Sequence, residues 1–434
     1  MTRLLVLGAG VSGRAAAELA VRRGDSVTVF DADPSAGQDL LASGLAVVGG
    51  EWSADLLEGI ELVVTSPGIP ERSRLITDAL EARLPIWSEL EYGSNALSAP
   101  VVAITGTNGK TTVTGLVADM LAGTGQNTVA AGNIGTALSE IADRQWDTVV
   151  VEASSFQLRF IETFHPSVAV ILNISDDHLD WHGSRANYIA AKARILENQT
   201  PDDVFVYDLD DETAASLSSA AIGRTVGVSG LSVPPDGIGR HGDLFRTGHT
   251  VIPVSDLAVS DRAYLLDLAA ASAAAGAAGA SPAAIDQVVR EFTPGLHRRK
   301  VVGAIDGVPY IDDSKGTNPH ASVAAVEAYP SVVLIAGGRN KGLDLSPLAQ
   351  ARQLRHLITL GEAAVELEAA APGPVTRADS LEHAVAIAHS LAKPGDVVML
   401  SPGCASFDMF ENYRARGEAF AHIVHELAQQ EEVS

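Results

Sequence analysis

The stretch VVAITGTNGKTTVTG, residues 101–115, decides how this chain is read. An apolar, strand-like run ends in a glycine-rich turn, and a helix-compatible segment follows it. Backbone N–H groups of such a turn point into a concavity that suits phosphate oxygens, and the start of the helix adds partial positive charge. Lys110 has the reach for β- and γ-phosphates, and the Thr111 hydroxyl suits Mg2+. A strict G-x4-G-K-[ST] pattern needs glycine at position 104, where Ile104 stands, so the loop is a variant P-loop. Gly106, Thr107, Asn108, Gly109, Lys110, Thr111 and Thr112 form the candidate nucleotide cradle. A plain glycine turn is the competing reading. The coincidence of strand, loop, Lys-Thr pair and helix speaks against it.

About 100 residues upstream stands a second glycine loop, LGAGVSG (7–13). Gly8, Gly10 and Gly13 follow the apolar LLVL with the spacing of a dinucleotide fingerprint, which read alone points to NAD or FAD. Around it the chain alternates. RLLVLG, SVTVFD and ELVVTSPG read as strands, VSGRAAAELAVRRG and SRLITDALEARL as helices, and the series predicts a parallel sheet. GSNALSAP (93–100) reads as a linker. After the variant P-loop, TVVVEASS and SVAVILNIS read as strands of the buried parallel kind, and NYIAAKARILEN (187–198) as a helix. Residues 202–255 hold short β-like pieces, and an alanine-rich helical region runs to about Phe292. From PGLHRRK onward VPYIDDS, VVLIAGG, HLITLG and VVMLSPG read as strands of a third α/β series. The expectation is three consecutive α/β domains, at 1–96, 97–294 and 295–434: a Rossmann-like domain, a P-loop-type mononucleotide-binding domain and a second Rossmann-like domain.

The bulk numbers agree. A chain of 434 residues is too long for one core. At 46% hydrophobic and 19% charged it is globular. Cys404 is the lone cysteine, which excludes an intramolecular disulfide and a Cys-rich zinc site and fits a reducing cytoplasm. The most apolar stretch, 265–284, is broken by Asp267, glycine and Pro282, so no membrane span is expected. No signal peptide is expected either. A net charge of −24 repels nucleic acid and anionic membranes. Anionic substrates must then be held by local cations, backbone N–H clusters or metal ions.

Single residues say less. Glu152 closes an apolar strand at the end where open α/β sheets bind ligands; alone it is more often a helix cap or a surface acid. His178, in NISDDHLDWHG, lies four residues before His182, but no Glu sits between them as a zinc helix of the H-E-x-x-H type requires. Asp176 and Asp177 read as helix-start solvation, and Lys192 as a solvated helix lysine. The LHRRK cluster suits a solvated hinge or a phosphate.

In their order, TGTNGKTT, AGNIG (131–135), EASSFQL, NISDDHLDWHG, AAKARI, LHRR, DDSKGTN, AGGRNKG and SPGCASFDMFENYRARG resemble the Mur ligases of peptidoglycan synthesis over nearly the whole chain. The pairing of LGAGVSGRAA with SPGCASFDMFENYRARG is similar to the branch that adds D-glutamate to UDP-N-acetylmuramoyl-L-alanine. The resemblance implies that the first loop holds the UDP of the substrate and not NAD, through Gly10, Val11, Ser12, Asp31 and the second UDP loop Ser66, Pro67 and Gly68. Ala32 and Asp33 depart from the hydroxyl and basic residues expected after Asp31.

It further implies ATP-driven amide formation through an acyl phosphate and a tetrahedral intermediate. In that scheme positioning and charge neutralisation carry catalysis. Lys110, Glu152, His178 and Lys192 would be catalytic. Thr111 and Glu152 would bind one Mg2+ and His178 a second, with Lys192 as a metal-binding carbamate formed with CO2. Arg298 and Asp313 match ATP-binding positions. Asn133 matches a contact to the muramoyl-alanine. Lys315, Thr317 and Lys341 match the side that holds one end of D-glutamate, and Ser406 and Tyr413 the other, with tyrosine standing where phenylalanine is common. Asp267 stands where asparagine is usual, and is set aside. The implied enzyme is a cytoplasmic monomer whose C-terminal domain closes about a hinge near TPGLH (293–297), bringing Arg298, Lys315 and Lys341 to the ATP. Three rivals remain: an oxidoreductase fused to an ATPase, a sister ligase with another amino acid, and a non-catalytic nucleotide-binding scaffold.

Overall fold

The computed structural model describes residues 1–433. The described residues form three sheets. The first holds β1 (Arg3–Leu7), β2 (Ser26–Asp31), β3 (Ala46–Gly49), β4 (Leu62–Thr65) and β5 (Ile86–Ser88), in the order β3-β2-β1-β4-β5. All its pairings are parallel. The chain reverses direction across the sheet between β1 and β4, and ligands of doubly wound sheets bind beyond the carboxyl ends of strands at such a point.

The second sheet holds β6 (Val101–Thr105), β7 (Thr128–Gly132), β8 (Thr148–Glu152), β9 (Val168–Ile171), β10 (Val204–Asp208), β11 (Arg224–Ser229), β12 (Ile238–His241), β13 (Leu244–Arg246) and β14 (Val251–Pro253). Its order is β14-β13-β12-β11-β10-β9-β6-β8-β7. The short β-like pieces expected at 202–255 are thus real strands, and the last two add an antiparallel ribbon to a parallel sheet. The third sheet holds β15 (Lys300–Ile305), β16 (Val308–Asp312), β17 (Val332–Gly337), β18 (Leu354–Leu360), β19 (Val375–Arg377) and β20 (Val397–Leu400), in the order β15-β16-β20-β17-β18-β19. Only the β15 and β16 pair is antiparallel.

Each sheet buries both faces, which is why its strands read as unbroken Val/Ile/Leu runs. Val102, Ile104, Val150 and Val170 pack on one side of the second sheet, and Val101, Ala103, Val149 and Val151 on the other. The alanine-rich region is two helices, Arg262–Ala277 and Pro282–Glu291, separated by a short turn. Its small side chains let the first of them lie buried against the sheet.

Contacts divide the chain into two compact units, one made of 1–174 and 181–292, the other of 175–180 and the residues from Thr293 onward. The first unit contains both the first and second sheets, and the segment just ahead of the expected linker explains why. Residues Glu89–Ser94 form a buried helix. Glu91 accepts hydrogen bonds from Thr163 N (2.8 Å), Thr163 Oγ1 (2.6 Å), Phe164 N (2.9 Å) and Asn95 Nδ2 (3.0 Å). Glu89 accepts one from Ser139 N at 2.7 Å, and its burial pushes its carboxyl pKa up. The docked segment thus lies just ahead of the expected linker at 93–100 and overlaps only its first two residues, and it is held by two carboxylates, Glu89 and Glu91, that accept hydrogen bonds from residues of the second domain. No helix among the described residues is long and apolar enough to cross a membrane.

Candidate active site

In the first sheet the turn after β1 is shaped by crowding. A Cβ on Gly13 would lie 1.8 Å from the Gly8 carbonyl oxygen, so the helix Val11–Arg22 can pack there only without a side chain. Gly10 faces open space. Gly8 (φ 93°) lies beside Ser66 of the loop after β4, so the two expected UDP loops meet. Val11 is 65% exposed at the mouth, and Ser12 is half-buried beside it. Pro67 and Gly68 continue the second loop. Asp31 is a brace: its carboxylate accepts from Ala9 N (2.7 Å) and Asp33 N (2.9 Å). Asp33, which departs from the family, thus has a local role through its main chain.

The second glycine loop joins β6 to the helix Lys110–Gly123. Gly106 (φ 154°) and Gly109 (φ 87°) adopt conformations that other residues resist. Gly109 sits at the helix start and, having no side chain, supplies no cap hydrogen bond of its own. Asn173, just beyond β9, clamps the loop. Its side chain accepts from Asn108 N (2.8 Å) and donates to Asn108 O (3.2 Å), and its carbonyl accepts from Thr107 N (2.7 Å). Lys110 Nζ folds back onto Gly106 O (2.8 Å) and Thr107 O (2.9 Å). The hydroxyls of Thr111 and Thr112 have no hydrogen-bond partner among the described residues.

Lys192 is not a solvated helix lysine. It is 1% exposed, donates to Gly106 O at 2.7 Å and to Thr105 Oγ1 at 3.4 Å, and lies 4.7 Å from the centre of the Tyr188 ring. Its helix, Arg185–Ala193, turns this face under the loop. Two ammonium groups therefore share one loop carbonyl. Glu152 lies one strand over, opposite Ile104. Its Oε1 accepts from Asn133 Nδ2 (3.1 Å), and its buried Oε2 has no partner. That oxygen and the Thr111 hydroxyl are the hard donors that Mg2+ takes. The Lys192 ammonium is not a metal ligand as it stands. Asp267 is buried beside the same loop, where a Cβ on Gly109 would lie 2.3 Å from its Oδ1.

In the second unit the loops after β16, β17 and β20 gather the other candidates. Asp313 accepts from Ser401 Oγ (2.6 Å) and Arg299 N (3.2 Å), and its burial raises its pKa to about 7. Arg298 lies between two residues of left-handed backbone, His297 and Arg299. Lys315 stands over the Tyr413 ring at 5.4 Å. Thr317 follows on the same loop, and Ser406 is buried after β20. Lys341 Nζ lies 3.3 Å from Asp177 Oδ1, and Asn318 Nδ2 lies 3.3 Å from Oδ2. Burial pushes the Asp177 carboxyl up, but Lys341 and His178 outweigh it and hold it below the usual carboxylate range. His178 (φ 53°) sits 3.6 Å from the same carboxylate. No cluster of three or more His, Cys, Asp or Glu residues placed to hold a metal occurs among the described residues.

Three domain descriptions match the chain: "Mur ligase MurD-like, N-terminal domain" over residues 2–88, "Mur ligase middle domain" over 104–234 and "Mur ligase, glutamate ligase domain" over 297–404. A UDP-N-acetylmuramoylalanine--D-glutamate ligase of Frankia casuarinae is 43% identical over 97% of this chain and 93% of its own length. A ligase of the same name from Pelotomaculum thermopropionicum is 39% identical over 97% of both.

The chain belongs to the Mur ligase family. Solved structures repeat this Mur ligase fold at low identity. The pseudomurein peptide ligase type C of Methanothermus fervidus is 17% identical, with a TM-score of 0.62 over 98% of this chain and all of its own. The MurF ligase of Thermotoga maritima in complex with ADP is 16% identical, with a TM-score of 0.63 over 99% of both. In this Mur ligase the sequence reading missed Asn173, Tyr188 and the Asp177 contacts. Asn173 carried a signal, a polar residue closing the buried strand VAVILN. Asp177 carried none for Asn318 and Lys341, because these partners lie more than 140 residues away.

Proposed function

We propose that this Mur ligase uses ATP to join D-glutamate to UDP-N-acetylmuramoyl-L-alanine. One observation supports the reaction class above the others. The loop after β6 holds two lysines on the same carbonyl, beside a buried carboxylate with a free oxygen. That suits a site where phosphate charge is gathered and transferred. The choice of D-glutamate follows the relatives at 43% and 39% identity that carry that name.

A free carboxylate is a poor acyl donor because its leaving group would be oxide. Transfer of the γ-phosphoryl group to the muramoyl-alanine carboxylate gives an acyl phosphate and ADP. The D-glutamate amine, having lost a proton from its ammonium form, attacks the carbonyl carbon. The tetrahedral intermediate then expels phosphate. The nucleophile of the first step is the substrate itself, so no Ser or Cys triad is needed. In this scheme Lys110 leaves its loop carbonyls for the β- and γ-phosphates, and the first-turn N–H groups cradle the same oxygens.

Glu152 and Thr111 would hold one Mg2+, and His178 with carbamylated Lys192 would serve a second. Bound magnesium neutralises phosphate charge. Asn133, fixed by Glu152, would orient the muramoyl-alanine. Gly10, Val11, Ser12 and Ser66–Gly68 would cradle UDP, with Asp31 shaping the loop. Arg298 would face phosphate. Asp313, with its pKa near neutrality, would repel the nucleotide less than an ordinary carboxylate. Lys315, Thr317, Lys341, Ser406 and Tyr413 would hold D-glutamate, with Lys341 shared between Asp177 and a substrate carboxylate. The enzyme is taken to be a cytoplasmic monomer with domain boundaries near residues 96 and 294.

Phosphate release from ATP and Mg2+ with UDP-N-acetylmuramoyl-L-alanine, across a panel of L- and D-amino acids, tests this. Release that requires D-glutamate and yields the UDP-muramoyl dipeptide is the expected outcome. Release with another amino acid would keep the chemistry and change the substrate. No release with any amine would overturn the proposal.

A further inference from the structure

The loop that leads into the third sheet has an uncommon backbone. His297 and Arg299 are both left-handed, with φ of 60° and 52°, and such conformations persist only where the surroundings over-determine them. At His297 they do. Its Nδ1 lies 2.6 Å from Asp312 Oδ2, at the end of β16, while Asp312 Oδ1 accepts from Ser314 N at 2.9 Å. The His297 carbonyl accepts from Lys315 N at 3.2 Å. The imidazole meets the Tyr413 ring edge to face, with centroids 6.2 Å apart and planes at 80°. The Tyr413 ring in turn lies 5.4 Å from the Lys315 ammonium.

The helix Tyr413–Val433 closes the cluster from the other side. A Cβ on Gly417 would fall 2.3 Å from His297 Nδ1 and 2.6 Å from Asp312 Oδ2. His297 thus reaches Lys315 by two routes, through its own carbonyl and through the ring of Tyr413. It also partners a carboxylate that is 2% exposed. Stripped of that partner, a buried carboxylate draws in whatever cation is close, and Lys315 is three residues along the chain.

We propose that His297, gripped by Asp312, is a positioning residue that fixes the Lys315 ammonium and the Tyr413 ring at the amino-acid end of the site. The proposal rests on the reading that Lys315 and Tyr413 face the amino acid. His297→Ala and Asp312→Ala should each raise the KM for D-glutamate about tenfold, leave kcat and the KM for ATP within about twofold, and be largely rescued in Asp312→Asn, which keeps an acceptor for Nδ1. An unchanged KM, or a fall in kcat alone, would overturn the proposal.

A second readout needs no substrate. Burial alone would raise the Tyr413 phenol, but the Arg414 hydrogen bond and the Lys315 charge outweigh it and hold it below the ordinary tyrosine range. The phenol can be followed by NMR of 13C-labelled tyrosine, assigned with Tyr413→Phe. It should titrate higher in His297→Ala and stay low in Asp312→Asn. No movement in His297→Ala would sink the positioning role. If the wild type shows no D-glutamate-dependent turnover, the functional reading fails, and the phenol titration still decides whether His297 seats Lys315.

Discussion

The two glycine loops of the first unit begin alike and are finished differently. After β1, the turn is closed by Gly13 on the Gly8 carbonyl and braced by Asp31. The basic residue in its first helical turn, Arg14, is paired with Asp39. After β6, the turn is clamped by Asn173, and two lysines converge on Gly106 O. In the proposed function, glycine would let backbone approach a phosphate in both places. The side chains that follow would then separate holding a phosphate from transferring one. A loop that only holds needs N–H groups and space. A loop that transfers must also neutralise charge that develops in the transition state.

That contrast can be broken by substitution. The largest effect is expected from Lys110→Ala, which should lower kcat by about a thousandfold or more, as loss of a phosphate clamp does. Affinity for UDP-N-acetylmuramoyl-L-alanine, measured by calorimetry, should barely move. Lys192→Ala should follow, with kcat reduced by about a hundredfold. A variant that kept full activity would return Lys192 to a packing role. Gly13→Ala should do the reverse of both: its clash with Gly8 costs about 1–3 kcal/mol and raises the KM for the UDP substrate, while nucleotide binding at the second loop stays intact. Equal loss at both loops would contradict their independence. Asp31→Asn is the smallest. Losing one charged acceptor for Ala9 N costs about 1 kcal/mol, to be read as a few-fold rise in the same KM.

How much of this was legible depended on distance along the chain. The strands that lead into the two glycine loops announced themselves, because parallel strands buried on both faces are continuous apolar runs and the glycine turns follow at once. β3 and β5 did not, since AVVG and IWS are too short for a period to show. Lys192 was misread by helix periodicity alone: AAKAR gives no hint that a loop more than 80 residues upstream covers it. Only the family resemblance singled it out. Asp312 and His297 are 15 residues apart and could have been paired, but nothing in LHRR marks a left-handed histidine.

The helix Glu89–Ser94 has a consequence for how such a protein can be recombined. Its two carboxylates accept hydrogen bonds from main-chain N–H groups of residues 139, 163 and 164, so an exchange of the first domain alone would leave buried carboxylates without those donors. A chimera cut at residue 96 would inherit a foreign socket for Glu91. The first two sheets, which share one compact unit, are therefore expected to unfold together, as coincident loss of protection in both under hydrogen exchange would show.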